Sequence, residues 1–252
     1  MKNKLTSNSC RKKTFATRLL ASLAIAGMAG FSACSSLPDI PTGPVGYKPV
    51  AASLKSEPDW INNTGEWASE HSKKTGDVWF VASSPMENSL QGAKHDAYIR
   101  AQRKASDRIG DQNWNIVGNS VKRAANNNTQ VVDTVEKKTK TKLRQMSQGW
   151  LVGGQEWQYY WIEYQPKKDF STRVPGNERS LYRVWALVKY SHNNWECSRR
   201  NSLKMLPMIA NNMGGKFGYH NFDSNKFRSV LEDITNKNLS LIPDNVCSGD
   251  GA

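Results

Sequence analysis

Ala93, Ala97, Ala101 and Ala105 recur at every fourth position, and this spacing constrains the fold more than any other feature of the chain. Residues four apart share one helix face. The spacing therefore predicts a helix from about Leu90 to Ile109 with a narrow stripe of methyl groups and Tyr98 and Ile109 beside it. A stripe that small lets a helix lie close against a sheet. Lys94, Arg100, Arg103, Lys104 and Arg108 hold the other positions, a cationic face that is either solvated or turned to an anionic surface.

The partner sheet is legible on both sides of that helix. Val78, Trp79, Phe80 and Val81 favour strand, and Ser84-Pro85 ends the segment, which predicts a strand over 77–84. After Gly149 the pattern again becomes strand-like: Trp150 to Val152, a Gly153-Gly154 break, then Glu156 to Tyr164. Trp157, Tyr159 and Trp161 alternate there with Gln158, Tyr160 and Ile162, a period of two. Leu181 to Tyr190 is the last strong strand, and 165–180, with Pro166, Pro175 and Gly176, reads as a long hairpin loop before it. The expected fold class is α+β, a small antiparallel sheet covered by helices.

Helical spacing of Val132, Val135, Thr139, Leu143 and Met146 predicts a second helix over about 130–148, with Lys137, Lys138, Lys140, Lys142 and Arg144 as another basic face. Residues 111–129 between the two helices are polar and asparagine-rich, with Asn126-Asn127-Asn128 as a loop. A C-terminal helical extension, 191–252, follows the last strand. Leu203, Leu206 and Ile209 give it a short helix interrupted at Pro207, and Phe227, Val230, Leu231 and Ile234 a clearer one. The glycine-rich Met213 to Tyr219 lacks the spacing and preceding strand of a phosphate-binding loop and reads as a turn.

The N-terminal end has a different grammar. Lys2, Lys4, Arg11, Lys12, Lys13 and Arg18 precede an uncharged, mostly apolar run from Leu19 to Phe31, which Ser32-Ala33 joins to Cys34. That order is the layout of a secretory signal, and the run is shorter than the roughly 20 residues a spanning helix needs. Phe31-Ser32-Ala33-Cys34 resembles the lipobox of bacterial lipoproteins, with Phe31 where the family usually has Leu. The resemblance implies cleavage after residue 33 and lipidation of Cys34; an ordinary signal with a stray cysteine is the alternative. Several acyl chains anchor a protein stably where one does not. Pro38, Pro41, Pro44 and Pro49 with Gly43 and Gly46 then read, over 34–56, as a stiff tether. Ser35 and Ser36 stand where such lipoproteins carry an inner-membrane-retaining Asp, so the expected location is the outer membrane, periplasmic side.

Losing residues 1–33 removes six cations and no acids, which takes the formal charge from +13 to +7. In an exported protein the polyanions to expect are lipid headgroups or cell-wall polyanions rather than nucleic acid, and a bland surface charge is favoured over any specific binding site. Cys197 and Cys247 are then the cysteines left in the folded region, 50 positions apart. Two thiols in an oxidising compartment point to a disulfide worth roughly 3–4 kcal/mol in the chain-entropy model. Zinc is the competing idea, but His71, His95, His192 and His220 have no ligand spacing with either cysteine.

Pro58-Asp59-Trp60, the strand Trp79 to Ser83, the alanine-spaced helix and Tyr182 to Val188 together resemble the LPP-twenty lipoprotein family, over about 57–190. Ala82-Ser83 stand where that family commonly has glycine. The resemblance implies an outer-membrane assembly domain, in some members part of rings or disks around the flagellar motor, with no catalytic residue and no cofactor. The residues themselves show no Gly-x-Ser-x-Gly, no His-Glu-x-x-His and no cysteine with a spaced histidine partner, so the expectation is not an enzyme. Asp59, Asp77, Asp96 and Asp107 read as solvated or capping acids. Of nine tryptophans, Trp150, Trp157, Trp161 and Trp185 fall on strands expected to be neighbours. Core packing accounts for at least half, and any surplus on an exposed face marks an interface. The leading expectation is a lipid-anchored module assembling with itself, as a homo-oligomer, or with another envelope protein; a carrier of lipid or cell-wall ligands is the rival.

Overall fold

A computed structural model describes residues 43–124, 129–168, 179–208 and 224–248. The elements run β1 (Tyr47–Ala52), α1 (Asp59–Asn62), α2 (Thr64–Thr75), β2 (Val78–Ser83), α3 (Leu90–Ala124), α4 (Thr129–Gln148), β3 (Gln155–Pro166), β4 (Leu181–Tyr190), α5 (His192–Lys204), α6 (Ser224–Leu239) and a 3-10 turn, Asp244–Cys247. The four strands form one antiparallel sheet in the order β1-β3-β4-β2. The fold is α+β.

One face of the sheet takes α3. Ala93, Ala97, Ala101 and Ala105 are fully buried against Phe80, Ala82, Val184, Ala186 and Val188. The methyl stripe gives the close approach that larger side chains would prevent. The other face carries Trp79, Val81, Tyr160, Ile162, Tyr164, Trp185 and Leu187, covered by Trp60 of α1 and by Trp67 and Ala68 of α2. Period-two alternation thus serves two cores, one per face.

Two expectations change around α3. The helix does not stop at Ile109 but runs through Ala124. Its polar continuation places Trp114 and Val117 in a third core with Leu143, Leu203, Phe227 and Leu231. Asn113, a poor helix former, is buried there and donates through Nδ2 to Ser202 Oγ at 2.6 Å. The Asn126-Asn127-Asn128 loop lies outside the described residues, as do Ile209 and Met213 to Tyr219. The expected strand at Trp150–Val152 is a turn and an irregular segment instead. Its backbone is already committed: Trp150 N donates to Ser147 O at 3.2 Å and Val152 N to Ser198 Oγ at 2.9 Å.

The tether reading also changes. Residues 47–52 form edge strand β1, with Pro49 beside a register shift between Pro49 and Ala51. Proline is tolerated at such an edge because its missing N–H would face outward. Residues 34–42 lie outside the described part. The C-terminal helices share their core with α3 and α4. Cys197 on α5 and Cys247 on the 3-10 turn are bonded, with Cα atoms 4.9 Å apart. Arg200 reinforces that closure by donating to the Leu239 and Ile242 carbonyls and to Asp244.

Candidate functional site

The four candidate tryptophans do not form one patch. Trp185 is buried against Tyr160, ring centroids 5.6 Å apart, with the Arg183 guanidinium 5.0 Å from its ring. Trp161 is half-buried on the α3 face. Trp150 follows α4 in a turn and is 38% exposed, and Trp157 is 56% exposed. Parity along β3 fails to group them because the register shifts between Glu156 and Gln158. That bulge moves Trp157 off the α3 side where Trp161 points and onto the side of Trp79 and Trp185.

At the α2 side of the sheet Trp157 joins a ring cluster that sequence reading did not assemble. Its ring meets Trp79 edge-on at 5.5 Å, Trp79 meets Trp67 edge-on at 5.2 Å, and Trp67 stacks on His71 at 3.7 Å. Lys189 Nζ lies 4.7 Å from the Trp157 ring and 5.9 Å from that of Trp79, and pairs with Asp77 Oδ2 at 3.6 Å. Asp77 is therefore a buried ion-pair partner rather than a solvated acid. Trp60 Nε1 donates to Gln158 Oε1 at 3.1 Å, which ties α1 to the same end of β3. The spacing Trp67-x-x-x-His71 on one helix was the available signal, as such pairs lie on one face.

Beside this cluster a cleft of about 690 Å³ runs along β2, between α2 on one side and α3 on the other. Small residues of α2 form one wall: Gly65, Ala68 and Ser69. Lys104 and Arg108 of the predicted cationic face form the other. They are not merely solvated. Lys104 Nζ donates to Val81 O at 2.7 Å, and the Arg108 guanidinium lies 5.9 Å from the Phe80 ring and 5.8 Å from that of Trp195. Trp79 also lines the cleft, and its buried indole Nε1 has no hydrogen-bond partner.

Burial raises several tyrosines above their ordinary range. Tyr159 is raised by burial first and then by Glu156; Tyr190 by burial and then by Tyr98. Tyr98 shifts in the same direction, from burial and then Glu156, and its hydroxyl donates to Gly154 O at 3.0 Å. These phenols remain protonated and pack the sheet. Among the described residues, no group of three or more His, Cys, Asp or Glu is placed to hold a metal ion. Among the same residues no helix is long and apolar enough to cross a membrane. No protein-family model, curated protein or solved structure matches the chain.

Proposed function

We propose that the chain is an outer-membrane lipoprotein anchored through Cys34, whose folded part is an assembly module on the periplasmic side. The observation that carries this reading is the β2 edge of the sheet, which no other strand pairs among the described residues, near the exposed Trp157. Unpaired strand edges accept other chains unless covered, and exposed aromatics are enriched at interface hot spots. The lipobox-like Phe31-Ser32-Ala33-Cys34 supplies the anchor. Confining copies to one plane raises their effective concentration without new contacts. The LPP-twenty-like elements make a flagellar ring or disk one setting for such a module.

The rival is a carrier of lipid or cell-wall ligands, and the size of the cleft favours it, since about 690 Å³ falls within the range of small-molecule sites. A carrier needs no partner chain to act. Crosslinking in native outer membranes, followed by light scattering of the lipidated protein in detergent, separates the two. The assembly reading predicts a mass above one chain, with itself or with an envelope partner; the carrier reading predicts a monomer.

A further inference from the structure

We propose that the β2 edge accepts an extended, acidic segment of a partner protein as a fifth strand, seated in the cleft between α2 and α3. This inference deepens the assembly reading and rests on it. The ladder shows which groups are on offer. Ser84 N donates to Val184 O at 2.8 Å, which sets the hydrogen-bonded pairs at Ala82↔Ala186, Phe80↔Val188 and Val78↔Tyr190. In an antiparallel pair the intervening residues turn their N–H and C=O groups away from the partner. Trp79 and Val81 therefore face the open edge. Val81 O is capped by Lys104 Nζ, a contact that agrees with this alternation.

The surroundings select the occupant. Gly65, Ala68 and Ser69 leave room for an extended chain, and a Cβ built at Gly65 would have no heavy atom within 4 Å. Lys73, Lys104 and Arg108 line the cleft and have no acidic partner among the described residues. The acid on the lining, Asp77, is engaged by Lys189. An acidic strand would match this charge, with backbone hydrogen bonds giving affinity and alternate side chains giving selectivity. A second copy matches it poorly. The mature chain carries +7, and its other sheet edge is interrupted by Pro49 and a register shift.

The test uses the full-length lipidated protein in detergent. The probes are a blocked hexapeptide alternating valine and glutamate, its valine–lysine counterpart, and inorganic phosphate. The glutamate peptide is expected to slow amide exchange at Trp79 and Val81, leave Phe80 unchanged, and bind more weakly as salt rises. The lysine peptide and phosphate are expected to do neither. Gly65→Leu, which fills the cleft while favouring the helix, should weaken the glutamate peptide by about tenfold or more. The double variant Lys104→Gln, Arg108→Gln should weaken it and flatten its salt dependence. Binding without protection at Trp79 and Val81, equal protection by the lysine peptide, or displacement of the glutamate peptide by phosphate would overturn the proposal. If Gly65→Leu abolishes peptide binding but leaves the crosslinked assembly intact, the edge is not the assembly surface and the broader reading survives. If the peptide protects the edge while the wild-type protein remains alone in membranes, the assembly reading fails and the edge site stands.

Discussion

Gly110 sits where α3 crosses α4, and a Cβ there would lie 2.9 Å from Arg144 Cγ and 3.2 Å from Arg144 N. The backbone contact cannot be relieved by a rotamer change. Ser106 Oγ donates to Arg144 O at 2.9 Å one turn earlier, so the two helices are held at that separation. Gly110→Val should therefore destabilise the protein by about 1–3 kcal/mol, despite the low helix propensity of glycine, as read from urea unfolding. The buried and half-buried phenols make a second residue-level prediction. Tyr98, Tyr159, Tyr160, Tyr164 and Tyr190 all have their pKa raised, with burial the first cause in each. A raised folded-state pKa gives stability that is fully present below the unfolded value, about 10, and is lost as pH rises past it. Thermal melts should show a steady loss of stability above about pH 10, with Tyr190→Phe reducing the loss. A flat profile through that range would contradict the burial assigned to these rings.

At the scale of elements, α3 against the sheet is the contact on which the architecture depends. Ala101 is fully buried in the stripe against the sheet, so Ala101→Leu forces extra bulk into that contact and should cost about 1–3 kcal/mol or more in denaturant unfolding. An exposed neighbour, Arg100→Leu, should change little by the same measurement. The alanine period, the strands of β2, β3 and β4 and helix α4 were legible because each carries a pattern strong enough to read locally. The rest depended on contacts distant in sequence. Residues 111–124 read only as a polar, asparagine-rich stretch beyond the helix, yet Asn113 finds Ser202 of α5 and Trp114 finds Leu143 and Phe227. Residues 47–52 fall in the proline- and glycine-bearing stretch that reads as tether, and that composition says nothing of the β3 edge they pair with. Trp157 is exposed, as an interface candidate has to be, but the bulge at Glu156/Gln158 hides its neighbours from the sequence. The β2 cleft could not be read from the chain at all, since strand order has no local signature.

At the largest scale, three cores among the described residues divide the structure between the two faces of the sheet and the C-terminal helices, and α3 joins the C-terminal core to the one on its own face of the sheet. The Cys197–Cys247 bond closes the C-terminal part onto α5. Non-reducing peptide mapping should find these two cysteines joined, and Cys247→Ser should lower stability by roughly 3–4 kcal/mol, measured by unfolding of the otherwise identical protein. Two freely alkylatable thiols would refute the pairing. Cys34→Ala should leave an unlipidated precursor that no longer partitions into a detergent phase, which mass spectrometry of the N-terminus checks. The central claim is that this anchored domain assembles, and light scattering of the native, lipidated protein after crosslinking in its own membrane tests it most directly. A mass above that of one chain, with itself or an envelope partner, is the predicted result; a strict monomer with no crosslinked partner would contradict the account.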